Sequence, residues 1–122
     1  MKKILKKTLA TFLSVAALAS AAVIPNTSAV SQWTVGDVDY NNIITEYDAR
    51  LILRYYTEVY VAQLSNPHYI PKSRADVNGD NIVDLTDAQL VLMFIDYANA
   101  HNIPKTSWYF YRYLANSGNL WI

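Results

Sequence analysis

Asp37-Val38-Asp39-Tyr40-Asn41-Asn42-Ile43-Ile44-Thr45-Glu46-Tyr47-Asp48 is echoed further along by Asp76-Val77-Asn78-Gly79-Asp80-Asn81-Ile82-Val83-Asp84-Leu85-Thr86-Asp87. Both stretches put an oxygen-bearing side chain at the first, third, fifth, ninth and twelfth positions and leave a backbone carbonyl free at the seventh. That is the ligand spacing of an EF-hand loop, which wraps hard oxygen donors around Ca²⁺. The candidate ligands of loop 1 are Asp37, Asp39, Asn41, the Ile43 carbonyl, Thr45 and Asp48. Those of loop 2 are Asp76, Asn78, Asp80, the Ile82 carbonyl, Asp84 and Asp87. Mg²⁺ demands a tighter octahedron and keeps its waters, so it fits less well. The sixth position needs a left-handed backbone, and Asn42 and Asn81 are the best non-glycine residues for it. Loop 1 offers three carboxylates and loop 2 four. Two ions are therefore expected, the tighter one in loop 2. A single acidic turn of this kind often only caps a helix. Two in register, each running into an apolar helical pattern, point to metal.

Each loop leads into such a pattern. Leu51, Ile52, Tyr55, Val59 and Ala62 recur at helical spacing after loop 1, predicting a helix from Glu46 to about Leu64. Leu90, Val91, Phe94, Ile95 and Tyr97 predict a second from Thr86 to about Ala100. Aligning Asp37 with Asp76 superposes Ile43 on Ile82, Leu51 on Leu90, Ile52 on Val91 and Tyr55 on Phe94, so the two units offer one shared apolar face. Neither can bury that face alone. The expected fold is all-α: two loop–helix units packed antiparallel with pseudo-twofold symmetry. A complete EF-hand has a helix on both sides of its loop. Here Pro67 and Pro71 argue against an entering helix close to loop 2, and Val30 to Gly36 is too short to supply one for loop 1. The aromatic stretch from Lys105 is expected to form a short helix to Leu114.

The chain has 122 residues and opens on Met1-Lys2-Lys3-Ile4-Leu5-Lys6-Lys7, followed by an apolar run to Ile24 and small residues at Thr27-Ser28-Ala29. This has the form of a secretory signal peptide over residues 1–29. It implies an extracellular, secreted protein. With that segment removed, six basic and ten acidic residues remain, a formal charge of −4, and seven of the acids lie at loop positions. Two Ca²⁺ ions would balance that charge. No basic stripe points to nucleic acid. There is no cysteine, so metal ions are the available staple for a small domain.

Gly36-Asp37-Val38-Asp39-Tyr40-Asn41 and Ala75-Asp76-Val77-Asn78-Gly79-Asp80, with the helices Asp48 to Tyr55 and Asp87 to Phe94, resemble a dockerin, the duplicated loop–helix module of cellulosomal proteins. The resemblance implies a dockerin domain over residues 33–100, with repeat 1 at 36–64, a linker at 65–74 and repeat 2 at 75–100. An aromatic extension follows at 101–122. It further implies calcium-dependent folding, no catalysis, and docking to a cohesin on a scaffoldin or cell surface. Partner choice in the family falls on positions that correspond to Glu46, Tyr47, Leu53 and Arg54 in repeat 1 and to Leu85, Thr86, Leu92 and Met93 in repeat 2. The first set is mostly polar and the second nearly apolar. One dominant docking orientation, centred on the second helix, is the expectation. The alternative is a small secreted carbohydrate-binding protein that uses the aromatic tail on a calcium-stabilised scaffold. His68 and His101 stand in no recognisable catalytic or zinc spacing.

Overall fold

The structure is a computed structural model and describes residues 30–120. The expected signal peptide lies outside the described residues. Helix α1 spans Glu46–Tyr56, and its start is written locally. Thr45 is extended, its hydroxyl accepts from the Tyr47 N–H, and the Asp48 carboxylate accepts from the Thr45 N–H. This reciprocal capping box satisfies N–H groups that a helix start otherwise leaves without partners. Past Tyr56 the helix widens into a π-helical turn, Thr57–Val61. The Ala62 N–H bonds to the Thr57 carbonyl, and Gln63 then turns left-handed at φ 52°. The helix thus stops at Val61, short of the expected Leu64, and Ala62 lies exposed rather than on the apolar face.

A single helical turn, α2 (Lys72–Ala75), precedes loop 2. This corrects the expectation that Pro67 and Pro71 exclude a helix there. Pro71 sits at the N-cap with φ −74°, where a fixed φ and a missing N–H carry little cost. Its carbonyl accepts from the N–H groups of Arg74 and Ala75. The stretch expected to be linker up to residue 74 is therefore partly helical. Helix α3 (Leu85–His101) repeats the capping box with Asp84 and Asp87 and ends at a left-handed Asn102. Helix α4 spans Ser107–Asn116. The chain is all-α as expected: the described residues contain helices and no strand.

Helices α1 and α3 pack on one another. Val38 and Val77, Ala49 and Ala88, and Ile52 and Val91 are buried in equivalent pairs. Ile43 and Ile82, expected on the apolar face, are instead about half exposed, at 49% and 47%. Their successors Ile44 and Val83 are the buried pair. Neighbouring side chains in extended backbone point to opposite sides, so only one of each doublet can face inward. Beyond these pairs the core is lopsided. Leu90, Phe94, Ile95 and Ala98 of α3 are buried, whereas Leu51 and Tyr55 of α1 are only partly so. The reason is α4, which lays fully buried Phe110 and Leu114 against α3 and stacks Phe110 on Phe94 at 4.9 Å. Each such side chain contributes roughly 1.5–3 kcal/mol of hydrophobic stabilisation. The extension is thus part of the core. Trp108 also stacks on Trp33 at 5.4 Å, clasping the two ends of the domain.

Candidate metal centre

Asp48 and Asp87, the twelfth residues of the two loops, are the hubs around which the loops close. Both are fully buried. Asp48 Oδ1 accepts from the N–H groups of Val38 (2.9 Å) and Asp39 (3.2 Å), and Oδ2 from Thr45 (2.8 Å). Asp87 Oδ1 accepts from Val77 (2.9 Å) and Asn78 (3.4 Å), and Oδ2 from Asp84 (2.9 Å). One carboxylate thus ties the start of each loop to the first turn of its helix. Within a capping box the residue after two spacers must be acidic or amidic, and the ninth and twelfth loop positions have that same separation. The helix cap and the ion loop share residues.

The first residues are held just as firmly. Asp37 accepts from Asn41 and Asn42, and Asp76 from Gly79 and Asn81. Asn42 and Asn81 adopt φ 68° and 70°, the left-handed sixth position that the sequence predicts. The result is two clusters: Asp37, Asp39 and Asp48, and Asp76, Asp80 and Asp87, each offering oxygens that all lie within 4.8 Å of one another. Asp84 stands outside its cluster and caps α3 by accepting from the Thr86 N–H at 3.0 Å. Thr45 caps α1 in the same way. Three carboxylates therefore converge in each loop. Asn41 and Asn78 turn their side-chain oxygens to loop amides, at Ile43 and Asp80.

Electrostatics tell whether a cation fits. Burial pushes Asp48 up to about 6 and Asp87 up to about 7. Burial also raises Asp76, with the Asp80 charge adding to it. Crowded, desolvated carboxylates resist ionisation, and a dication placed among them removes that resistance. The donors are all oxygen, which selects a hard cation, and the irregular cup suits Ca²⁺. The residues present fit the ion.

The eight candidate partner residues lie on the outside. Glu46, Tyr47, Leu53 and Arg54 are exposed on α1, and Leu85, Thr86, Leu92 and Met93 are exposed on α3. Leu92 and Met93 are 40% and 50% exposed, and α4 does not cover them.

Four residues escaped sequence reasoning. Arg74 of α2 reaches loop 1, where its guanidinium donates to the Asp37 carbonyl (3.0 Å) and to Asp37 Oδ2 (3.2 Å). It lies over the Tyr40 ring at 4.0 Å. No local pattern marks it, since its partner is far away in sequence. Gly36 has φ 84°, and a Cβ there would stand 2.5 Å from the Phe110 ring. Its position just before the loop was the available signal. Lys105 accepts from the Ile44 N–H through its carbonyl at 2.8 Å. Phe110 is the buried contact that brings α4 over loop 1.

Comparison with known proteins agrees with this geometry. The family model described as the Dockerin type I domain matches residues 35–96, just over half of the chain. The match begins at the buried Val35 before loop 1 and ends within α3, so it covers both loops and all eight exposed candidate residues. Among curated proteins, none matches. With both loops, α1 and most of α3 inside the matched span, the chain belongs to the dockerin type I family.

Proposed function

We propose that this protein is a secreted, non-catalytic dockerin that binds two Ca²⁺ ions and docks onto a cohesin of a scaffoldin in a polysaccharide-degrading assembly. Dockerin modules as a class bind calcium and cohesins and carry no catalytic site. The observation that supports the two-ion reading is the pair of equivalent carboxylate clusters, each buried at its twelfth residue. Loop 1 would use Asp37, Asp39, Asn41, the Ile43 carbonyl, Thr45 and Asp48. Loop 2 would use Asp76, Asn78, Asp80, the Ile82 carbonyl, Asp84 and Asp87. The ninth residues, already engaged as caps, would act through water, as that position often does. When bound, calcium supplies charge neutralisation and a cross-link between each loop and its helix.

Docking would centre on α3. Leu85, Leu92 and Met93 form an exposed apolar stripe, and such patches on small proteins commonly mark an interaction surface. The equivalent face of α1 carries Glu46, Tyr47, Leu53 and Arg54, so the two faces are chemically unlike and one orientation should dominate. The aromatic extension serves packing: Phe110 is buried, Trp108 is stacked on Trp33, and Tyr113 lies against Phe94 and Tyr97.

The test is a pull-down. Immobilised protein is exposed to the extracellular and cell-wall proteins of its source, in Ca²⁺ and in EDTA. A cohesin-bearing protein retained only with Ca²⁺, and lost when Leu92 and Met93 are both changed to Asp, supports the assignment. Retention of glycan instead, abolished by Trp108→Ala, would overturn it in favour of sugar binding.

A further inference from the structure

We propose that Arg74 is a resident cation of loop 1, which lowers that loop's affinity for calcium and makes loop 2 the first to fill. The inference rests on the calcium reading above. Arg74 belongs to the turn that leads into loop 2, yet both of its guanidinium hydrogen bonds go to loop 1, at Asp37. Its side chain is 20% exposed and that of Asp37 only 3%. Solvent and salt therefore screen this pair far less than an open surface ion pair. Tyr40 closes the other face of the guanidinium.

Loop 2 has no counterpart. Under the repeat alignment the residue equivalent to Arg74 is Val35, which is apolar and fully buried. Lys72 lines a shallow depression with Asp76 and Asn81. Among the described residues Asp76 nevertheless makes no ion pair.

The sign of the effect follows from what Asp37 does not need. Its two oxygens are already oriented by the Asn41 and Asn42 amides at 3.0 Å each, much as Asp76 is oriented by Gly79 and Asn81. Arg74 is thus not required to aim the ligand. What it adds is a fixed positive charge and an occupied lone pair on Oδ2. A dication in loop 1 meets repulsion from that charge, which adds to the difference already made by Asp84, the ninth-position carboxylate that loop 2 has and loop 1 replaces with Thr45.

The experiment is a CaCl₂ titration of the isotope-labelled protein, followed by NMR at the Asn42 and Asn81 amides. Each donates to the first carboxylate of its own loop, so each reports that loop. The Asn81 signal should respond at lower calcium than the Asn42 signal, and the reverse order overturns the proposal. Arg74→Gln keeps hydrogen-bond donors but removes the charge. It should tighten loop 1 about tenfold and leave loop 2 within about twofold, while Arg74→Lys keeps loop 1 weak. An Arg74→Gln protein whose loop 1 binds no tighter than wild type also overturns it. Failure of the calcium reading itself looks different: neither amide of the wild-type protein would respond to calcium.

Discussion

Loop 1 and loop 2 close around their twelfth aspartates with nearly the same bonds, yet different parts of the molecule hold them in place. Loop 2 is built from its own neighbourhood: the α2 turn before it, Val77 and Val83 within it, and α3 after it. Loop 1 is tethered from afar. Phe110 covers Gly36, the Lys105 carbonyl takes the Ile44 N–H, and Arg74 grips Asp37 while stacking on Tyr40. Duplication reproduced the ion cup, because the cup is local, but the supports of the two cups diverged. Loop 1 should therefore keep its shape without an ion more readily than loop 2, which lacks these tethers from distant segments.

The largest effect should come from removing the tether over loop 1. Phe110→Ala empties a fully buried site and should cost about 3–5 kcal/mol. Urea unfolding in saturating calcium reads that cost, and the calcium titration should show loop 1 weakened more than loop 2. Equal weakening of both loops would break the comparison. Gly36→Ala attacks the same contact from the other side, because its Cβ would collide with the Phe110 ring at a positive φ. It should lower stability in the same direction.

Next come the hubs. Asp87→Asn and Asp48→Asn each replace one acceptor oxygen by a donor, leaving a buried amide without a partner at a cost of about 1–3 kcal/mol. Each should abolish tight calcium binding in its own loop only. Calorimetry with one variant at a time then gives the affinity of the surviving loop. Loop 2, measured in Asp48→Asn, should be the tighter.

pH sharpens the contrast further. A carboxyl whose pKa is higher in the folded state than in the unfolded chain holds its proton more firmly when folded. Its contribution is complete below the unfolded value near 3.8 and fades as pH rises through the folded value, about 6 for Asp48 and about 7 for Asp87. In EDTA, thermal stability should therefore fall between pH 4 and 7, with loop 2 losing most at the upper end. In calcium the trend reverses, since the ion must displace those protons. Loop 2 affinity should drop by roughly tenfold per pH unit per displaced proton below pH 7. A flat profile in EDTA would contradict the burial of Asp87.

The smallest effect belongs to the clasp between Trp33 and Trp108. Trp33 is 69% exposed even while stacked on Trp108. Trp33→Ala should cost only about 0.5–1.5 kcal/mol, measurable as a modest shift of the unfolding midpoint. Neither loop's calcium affinity should move.

Much of the fold and of the ion cups is legible in the order of residues. Alternating oxygens, the Asn at each sixth position and the 3.6-residue stripes of α1 and α3 are short-range patterns, and each reports on residues within a turn or two. The same logic marks Leu92 and Met93 as outward-facing, since a helix with apolar residues on every side cannot bury them all. Reading fails where two local solutions compete. Pro71 can end a helix or begin one, and here it begins the α2 turn. Ile43 and Ile44 are equally apolar, and only the direction of the extended backbone decides that Ile44 goes in. Asp84 can cap as well as ligate, and one of its oxygens caps α3 by accepting from the Thr86 N–H.

By itself, then, the sequence determined the two oxygen loops, the helices they cap and the all-α class, because side-chain spacing and capping act over a few residues. Tertiary structure alone decided that Arg74 faces Asp37, that α4 covers Gly36, and that two similar loops stand in unlike electrostatic surroundings. Those outcomes depend on which distant segments meet when the apolar faces of α1, α3 and α4 are buried together. Burial is non-directional, so it carries no local mark in the chain.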